Sequence, residues 1–248
     1  MIPFIALKSL SLGPLTIQVW GLMVALGILA GAWVGAREAR KRGLDGNVVW
    51  DAAAWVTVGA MVVARLFHVA FYDPATYLAD PAQIIAVWKG GMSMFGGLVG
   101  ATIVGIGYFK IKKFPVLAYI DAMMSGLPLG IGIGRIGCFL IHDHPGTLTH
   151  FVLGVKYPDG SVRHDLGLYE SIYGFALAIV FYAMSRKNVR PATYSVVFLA
   201  TYGIFRFITD FLRIVDARYL GLTPAQYLSV AMIFGAWLLW RKKLSARK

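Results

Sequence analysis

Apolar stretches long enough to cross a lipid bilayer recur along the whole chain, and they constrain the fold more than any other feature. A membrane-spanning helix needs about 17 to 25 predominantly apolar residues. Only 15% of the 248 residues are charged, well below the roughly 25% usual in soluble domains. The sequence therefore predicts an all-α membrane protein, a single polytopic domain over residues 1–248 with seven transmembrane helices, near residues 17–36, 48–71, 92–109, 116–139, 167–185, 192–212 and 224–240.

Lysine and arginine residues are concentrated after every second predicted span. Cytoplasmic loops carry the excess of these residues in membrane proteins. The bias predicts an N-terminus outside, a C-terminus in the cytoplasm and a periplasmic loop over residues 140–166. It does not indicate the basic patch on a soluble fold that is typical of a nucleic-acid-binding protein. The clusters hold 15 of the 24 basic residues: Arg37, Arg40, Lys41, Arg42, Lys110, Lys112, Lys113, Arg186, Lys187, Arg190, Arg241, Lys242, Lys243, Arg247 and Lys248.

Two segments are expected to depart from regular helix. The run GLPLGIGIGRIG (126–137) combines Pro128 with repeated glycines, which predicts a broken helix. Irregular backbone at membrane depth is tolerated only where it is buried in protein or lines a cavity, so a cavity beside Arg135 is expected. In the loop, YPDGSVR (157–163) predicts a hairpin turn at Asp159-Gly160.

Ionisable residues occur inside or at the ends of the predicted spans, where a charged side chain is costly and indicates function. In the sixth span, Tyr202, Arg206, Asp210 and Arg213 follow one another at steps of four, four and three, and therefore share one helical face. A buried ion pair is one interpretation, formed by Arg206 with Asp210 or by Arg206 with Glu170 of the neighbouring span. The positions singled out as functional candidates are Arg65, Arg135, Glu170, Arg206 and Asp210.

Three arginines, Arg135, Arg206 and Arg213, lie toward the outer ends of their spans. Guanidinium groups present forked donors that match phosphate oxygens. We therefore expect Arg135, Arg206 and Arg213 to converge on the phosphate of an anionic lipid headgroup.

Four of the five histidines fall in the predicted external loop, at His142, His144, His150 and His164. The segment HDHPG (142–146) has three interpretations. It is a turn that ends the fourth span, or it supplies a general base near neutral pH. The third interpretation is a metal site, whose donors would be His142, His144 and His164 with Asp143 or Asp165.

The metal interpretation is the least favoured of the three, because the spacing of these residues matches no metal-binding motif, and we expect no metal. Cys138 is the only cysteine, which excludes an internal disulfide. A single cysteine near a helix end is interpreted as a small packing residue.

Six segments carry a resemblance to a known family, and they occur in the family's order along nearly the whole chain. They are WGLMVALGILAG, ARLFHVAFY with Arg65, WKGGMSMFGGLVG with Ser93, GRIGCF with Arg135 and Gly137, LGLYES with Glu170, and YGIFRFITDFLRIVDA with Tyr202, Arg206 and Asp210. In these segments the chain resembles the prolipoprotein diacylglyceryl transferase family.

The resemblance implies a seven-helix enzyme of the bacterial inner membrane with its active site toward the periplasmic face. The family transfers the diacylglyceryl group of phosphatidylglycerol to the thiol of a lipobox cysteine in a prolipoprotein signal peptide, releases glycerol-1-phosphate and needs no cofactor. The implied partners are these two substrates and the lipid bilayer, and not nucleic acid. Carried over by motif, Arg135 would bind the lipid phosphate and Arg206 would hold and polarise the headgroup. The other implied site residues are Glu170, Tyr202, Asp210, Arg65, Gly137 and Ser93.

The chain departs from the family pattern at several positions. Phe95 stands where the family has a histidine, Cys138 replaces an asparagine, and Trp20 replaces a tyrosine. HDHPG replaces an asparagine–glycine–glutamate segment, and Asp210 replaces a glutamate.

Since Phe95 cannot accept a proton, we expect His142 or His144 to supply the acid–base chemistry, with His144 favoured because Pro145 and Gly146 fix its turn. Two alternatives stay open. One is a different membrane enzyme, a transferase or hydrolase that uses a phospholipid, with or without the assistance of a metal ion. The other is a lipid-binding protein that has lost catalysis.

Overall fold

The computed structural model is mostly helical and describes residues 1–13, 15–87, 90–187, 189–214 and 218–245. The helices, in chain order, are α1 (Val19–Lys41), α2 (Gly46–Phe71), α3 (Pro74–Ala79), α4 (Met94–Ile111), α5 (Val116–Ile141), α6 (Leu166–Ser185), α7 (Thr193–Thr209) and α8 (Pro224–Ser245). Short 3₁₀ turns follow α3 and α7, at Pro81–Ile85 and Asp210–Leu212.

Within the described residues, five helices are long and apolar enough to cross a membrane. These are α1, α2, α5, α6, and α7 together with its 3₁₀ turn, which gives Thr193–Leu212. The third predicted span corresponds to α4, whose apolar part is the shorter Phe95–Ile111, and the seventh corresponds to α8. The prediction of a helical protein with several membrane-spanning helices is therefore confirmed.

The expectation of a broken helix in the glycine-rich run is wrong, because α5 is continuous through Pro128. Close packing on both sides explains the regular helix. A Cβ atom on Gly27 of α1 would lie 2.5 Å from the carbonyl oxygen of Gly130, and one on Gly174 of α6 would lie 2.6 Å from the nitrogen of Gly132. Small residues let helix backbones approach this closely in membranes, and such packing offsets the weak helix propensity of glycine.

Short strands lie at one end of the bundle, which we call the sheet end. They are β1 (Ile2–Pro3), β2 (Ser9–Leu12), β3 (Leu15–Gln18), β4 (Pro145–Leu148), β5 (Val155–Lys156) and β6 (Val162–Asp165). Strands β2 and β3 pair as a hairpin, and the other four form a sheet in the order β1–β5–β6–β4. Strand β1 is parallel to β5, whereas β6 is antiparallel to both of its neighbours.

The predicted turn between β5 and β6 is confirmed. The Tyr157 N–H donates to the Ser161 carbonyl at 2.8 Å, and Gly160 has a φ of +80°. The sequence did not predict β1, because a strand of two residues has no alternating pattern and its partner Val155 is distant in the chain.

Hydrogen bonds between helix ends define the direction of each helix. The Leu7 N–H donates to the Leu140 carbonyl at 2.8 Å, so the residues before α1 and the end of α5 both lie at the sheet end. At the opposite end, Lys41 Nζ donates to the Ser185 carbonyl at 3.2 Å, which joins the ends of α1 and α6. Both α1 and α6 therefore run from the sheet end to the opposite end, antiparallel to α5.

Candidate functional site

A buried carboxylate joins two arginines where α5, α6 and α7 meet near the sheet end. Arg135 Nε lies 2.7 Å from Glu170 Oε2, and Arg206 Nη1 donates to Glu170 Oε1 at 2.5 Å. The Glu170 side chain is only 1% exposed. It lies in the first turns of α6, a position that is fixed because Asp165 caps the helix by accepting from the Leu168 N–H at 3.0 Å.

A second carboxylate extends this network along α7. Arg206 Nη2 lies 3.0 Å from Asp210 Oδ1, and Arg213 Nε lies 3.5 Å from the same oxygen. The Thr223 hydroxyl donates to Asp210 Oδ2 and so ties the network to the start of α8. We call Arg135, Glu170, Arg206, Asp210 and Arg213 the Glu170 cluster. The sequence predicted that Arg206, Asp210 and Arg213 share one face of the sixth span. The structure confirms this, because Asp210 forms ion pairs with both arginines.

The carboxylates of the Glu170 cluster are buried, and its arginines differ in exposure. Glu170 and Asp210 are both at most 1% exposed. The Arg135 side chain is the most exposed arginine of the cluster at 24%, and Tyr202 interacts with it. The guanidinium group of Arg135 is therefore the most accessible one of this cluster.

The turn after α5 places three polar side chains beside Arg135. His142 ends the helix in the left-handed conformation, with a φ of +51°. The chain then turns back, so that the ligand atoms of Cys138, Asp143 and His144 all lie within 4.8 Å of one another. Arg135 Nη1 donates to Cys138 Sγ at 3.6 Å.

The His144 ring is in contact with Asp143, since its Nδ1 hydrogen-bonds with Asp143 Oδ1. Hydrogen bonds to Asp143 and then to Cys138 raise the pKa of His144 to about 9, against a smaller opposing effect of burial. Both side chains are partly exposed, at 26% for His144 and 34% for Asp143. The group formed by Cys138, Asp143 and His144 is therefore accessible from the sheet end and adjoins the Glu170 cluster.

The structure separates His142 from this group. Its Nδ1 donates to Asp165 Oδ2 at 2.7 Å, and its ring stacks on Phe4 with 4.1 Å between ring centroids. The Tyr157 hydroxyl donates to the same Asp165 oxygen at 3.3 Å. Burial, followed by the Asp165 charge, raises the pKa of Tyr157. His142 therefore joins the end of α5 to the start of α6 and to the N-terminal residues.

The donor set suggested by the sequence for a metal also differs from the observed one. His142 is engaged by Asp165, and His164 Nδ1 hydrogen-bonds with the Tyr169 hydroxyl at 2.7 Å. Burial lowers the pKa of His164. The suggested residues therefore form two separate pairs, His142 with Asp165 and His144 with Asp143. The second pair is joined by Cys138, which the sequence indicated only as a packing residue. The sequence signal for this grouping is the turn directly after α5, which brings Asp143 and His144 back to Cys138 in the last turn of the helix.

Arg65 lies outside the Glu170 cluster and holds the segment between α2 and α4. A guanidinium group has five N–H donors, and those of Arg65 all donate to backbone carbonyls. The Tyr77 ring lies against one face of the Arg65 guanidinium group, with 5.0 Å between the ring centroid and the guanidinium carbon. The five carbonyls belong to Gln83, Ile84, Ala86, Gly90 and Gly91.

Three further predicted positions have packing contacts in the described structure. Ser93 caps α4, because its hydroxyl accepts from the Gly96 N–H at 3.2 Å. A Cβ atom on Gly137 would lie 3.1 Å from the Trp20 Cα atom, so this glycine permits close approach of α5 to α1. Phe95 is 58% exposed and contacts Phe67.

A second buried charge cluster lies at the opposite end of the bundle. Arg42 lies 3.0 Å from Glu38 and donates to Asp121 Oδ2 at 2.8 Å. Asp121 is fully buried and also accepts from the N–H and the hydroxyl of Ser195, each at 2.8 Å. We call Glu38, Arg42 and Asp121 the Asp121 cluster. It joins α1, α5 and α7 and contains more carboxylates than arginines.

The fold and the Glu170 cluster define a multi-pass helical membrane protein with a buried, arginine-containing site at one end. Comparison with known proteins identifies the family. The chain belongs to the prolipoprotein diacylglyceryl transferase family, whose model matches residues 8–241. The resemblance inferred from the six motifs is thus confirmed.

Individual relatives agree with this assignment over nearly the whole length. The chain is 35% identical to a phosphatidylglycerol–prolipoprotein diacylglyceryl transferase of Pseudomonas putida (strain W619), with 96% of this chain and 95% of the relative covered. It is 36% identical to the enzyme of the same name from Pseudomonas fluorescens (strain Pf0-1), with coverage of 94% and 91%. A third such enzyme, from Pseudomonas aeruginosa (strain LESB58), is 34% identical and covers 96% of this chain.

Proposed function

We propose that this protein transfers the diacylglyceryl group of phosphatidylglycerol to the thiol of a lipobox cysteine in prolipoproteins, the first step of bacterial lipoprotein maturation. Family membership gives the reaction. The observation in the structure that carries the proposal is the pairing of Arg135 and Arg206 on one buried carboxylate, Glu170.

The chemistry follows from this charge distribution. The acceptor sulfur attacks the glycerol carbon that bears the phosphate, a carbon–sulfur bond forms, and the carbon–oxygen bond breaks. The electron pair goes to the phosphate oxygen, and glycerol-1-phosphate leaves. Arg135 and Arg206 would stabilise the charge that develops on this leaving group, and Glu170 would hold both guanidinium groups in position before the substrate binds.

We assign the remaining predicted site residues by their contacts. Tyr202 interacts with Arg135, so we place it against the headgroup. Asp210 pairs with Arg206 and Arg213, and we propose that it orients these two arginines. We propose that the other predicted substrate-binding residues shape the fold around the site rather than contact the lipid: Arg65, Ser93 and Gly137.

We propose that the acceptor thiol meets His144 rather than His142. Because the pKa of His144 is raised to about 9, its ring is mostly protonated near neutral pH and would stabilise the acceptor sulfur as a thiolate beside the imidazolium once the thiol proton has passed to solvent. The His144 ring lies in the group that adjoins Arg135, and its side chain is 26% exposed. The His142 side chain is 2% exposed and is held between Asp165 and Phe4. An incoming thiol therefore reaches His144 without displacing the contacts that join α5 to α6.

We further propose one polytopic domain with seven membrane spans in the bacterial inner membrane, the N-terminus outside and the loop 140–166 at the periplasmic face. Helices rise 1.5 Å per residue, so α4 with 18 residues is about 27 Å long, close to the thickness of the hydrocarbon core. The positive-inside bias supports the orientation. The ends of α1 and α6 carry basic residues and lie together at the opposite end, as this topology requires.

Reconstitution of the purified protein with phosphatidylglycerol and a lipobox peptide tests the proposed reaction. We expect a peptide whose mass increases by one diacylglyceryl group. Removing one donor to a developing oxyanion slows a reaction by roughly 10²- to 10³-fold, so Arg135→Gln should lower the rate by about that factor. Arg37→Gln, which changes an exposed arginine of α1, is the matched control and should retain activity.

Two outcomes would contradict the proposal. A folded wild-type protein that binds phosphatidylglycerol but never modifies the peptide would indicate a lipid-binding protein without catalysis. An Arg135→Gln variant with the wild-type rate would remove the leaving-group role of the Glu170 cluster.

A further inference from the structure

The end of the bundle opposite the Glu170 cluster carries one arrangement of side chains three times. In each case an arginine near the end of a helix lies over an aromatic ring four residues earlier in the chain. All three rings lie on the outer surface, 43% to 59% exposed. The pairs are Trp33 with Arg37 in α1, Tyr182 with Arg186 at the end of α6, and Trp237 with Arg241 in α8, with 5.9, 5.6 and 4.9 Å between the ring centroid and the guanidinium carbon.

This arrangement is typical of the boundary between the hydrocarbon core and the lipid headgroups. Tyrosine and tryptophan rings are enriched at that boundary, and arginine keeps its charged end at headgroup level while its stem stays on apolar surface. At 1.5 Å per residue, α6 rises about 24 Å between Glu170 and Arg186. The arginine–aromatic pairs therefore lie in the leaflet opposite to that of the Glu170 cluster.

A second cation joins the pair at the end of α6. Lys41 Nζ, from the end of α1, donates to the Ser185 carbonyl at 3.2 Å and to the Ser185 hydroxyl at 3.4 Å. The Ser185 hydroxyl donates in turn to the Tyr182 carbonyl at 2.9 Å. These bonds hold the ammonium group at the residue before Arg186. Because an ammonium group has three N–H donors, one donor of Lys41 remains for a ligand.

The two cations are exposed and are not neutralised within the part of the chain that the structure describes. Neither Lys41 nor Arg186 forms an ion pair with a carboxylate there. The carboxylates of the Asp121 cluster, which lies at the same end, both pair with Arg42. Lys41 and Arg186 are therefore available to an anion that comes from the membrane.

We propose that Lys41 and Arg186 bind the phosphate of an anionic phospholipid in this leaflet, which is the cytoplasmic leaflet in the proposed topology. The headgroup donors and an apolar surface are both present. Tyr182 lies one turn closer to the bilayer centre than Arg186, so its 59% exposed ring packs against the glycerol and the first part of an acyl chain. A free phosphate would leave that ring uncovered. This lipid site is distinct from the Glu170 cluster and goes beyond the proposed transfer reaction.

Lipid binding is tested on the full-length protein in detergent, titrated with phosphatidylserine, which is anionic but is not the proposed substrate. Native mass spectrometry gives the number of bound lipids and their apparent affinity. A basic residue near the membrane surface contributes about fivefold to the affinity for anionic lipid. The double variant Lys41→Gln/Arg186→Gln should therefore bind one phosphatidylserine about 25-fold more weakly than the wild type does.

Three comparisons separate this site from general attraction by charge. Arg190→Gln removes one exposed positive charge at the same end and is the matched control, which should bind phosphatidylserine as the wild type does. Zwitterionic phosphatidylcholine should bind more weakly than phosphatidylserine, and excess inorganic phosphate should not displace the lipid. Thermal unfolding shows whether each variant is folded. Arg186→Gln alone, which removes no hydrogen bond to Ser185, should weaken binding about fivefold and replaces the double variant if that one unfolds.

Three results would overturn the proposal. The first is a folded double variant, or a folded Arg186→Gln, with the lipid affinity of the wild type. The second is the same loss of affinity in Arg190→Gln as in Arg186→Gln, which would show that only the total charge attracts the lipid. The third is displacement of the lipid by inorganic phosphate, which would indicate a site for a free anion. Lipid retention is measured without the acceptor peptide, so each result is independent of whether the protein catalyses the transfer.

Discussion

The two buried charge clusters of this protein are joined in opposite ways. In the Glu170 cluster one carboxylate, Glu170, joins two arginines, whereas in the Asp121 cluster one arginine, Arg42, joins two carboxylates. Both join three helices, and in both the carboxylates are at most 7% exposed.

The difference in these partners distinguishes the proposed binding site from a structural contact. In the Asp121 cluster, the Asp121 oxygens are satisfied by Arg42 and Ser195, so that the fold itself uses them. In the Glu170 cluster, two arginines share one carboxylate, and the Arg135 side chain stays 24% exposed, where an anionic ligand can reach it. Burial of arginine alone is therefore a weak indicator of function, and its exposure and the partners it shares are better ones.

The largest expected effect comes from removing the carboxylate that joins the two arginines. Removing one partner of a buried ion pair costs about 3 to 5 kcal/mol, so Glu170→Gln should destabilise the protein by about that amount and abolish transfer. Asp121→Asn should be milder, about 1 to 2 kcal/mol, since Glu38 still pairs with Arg42. For both variants, unfolding in detergent measures the stability, and the transfer rate of the folded fraction measures the activity. Equal loss of transfer in the two variants would break the comparison.

The next largest effect distinguishes the arginines themselves. Arg206→Lys keeps the charge but removes the planar fork that binds phosphate, and should lower the transfer rate by about 100-fold. Arg42→Lys is the matched change in the Asp121 cluster and should leave the rate of the folded protein near that of the wild type. Initial rates at saturating phosphatidylglycerol provide the measurement, and a wild-type rate for Arg206→Lys would contradict the role of the fork.

A smaller effect should come from a free anion. Ligand binding stabilises the folded state by about 1.4 kcal/mol when the ligand is at ten times its dissociation constant. Inorganic phosphate should therefore raise the unfolding temperature relative to chloride at equal ionic strength, and Arg135→Gln should remove this increase. The same stabilisation in Arg135→Gln would show that phosphate binds elsewhere.

The smallest effect concerns a histidine outside both clusters. His142→Asn weakens the contact with Asp165 and should destabilise the protein by about 1 kcal/mol. Its effect on transfer should stay below tenfold, because a general base contributes about 10² to 10⁴ in rate and His142 is not placed to act as one. A His142→Asn variant with normal stability and a transfer rate 100-fold below that of the wild type would indicate that His142 is a catalytic residue.

Much of this description was available from the sequence. Apolar length predicted the helices, since a bilayer imposes it. The spacing of Tyr202, Arg206, Asp210 and Arg213 predicted their common face, because the helical repeat is fixed. The six motifs also gave the family, which the match over residues 8–241 confirms. Helix length and helical spacing are local properties of the chain, and the family follows from the order of short sequence segments.

Other features depended on the fold alone. The continuity of α5 through Pro128 follows from packing against α1 and α6, which intrinsic propensity does not contain. The sequence offered Asp210 or Glu170 as the partner of Arg206, and the structure pairs Arg206 with both. The pairing of Glu170 with Arg135 as well required three helices to meet, which the sequence did not predict.

The turn after α5 shows most clearly which features the sequence determined and which the tertiary structure decided. The sequence determined that His142, Asp143 and His144 follow an arginine at a helix end. Only the tertiary structure decided that His142 packs against Asp165 while His144 lies beside Cys138, because one left-handed residue directs neighbouring side chains to opposite sides. Residue types and helical periods are properties of the chain, whereas partners across helices are set by packing.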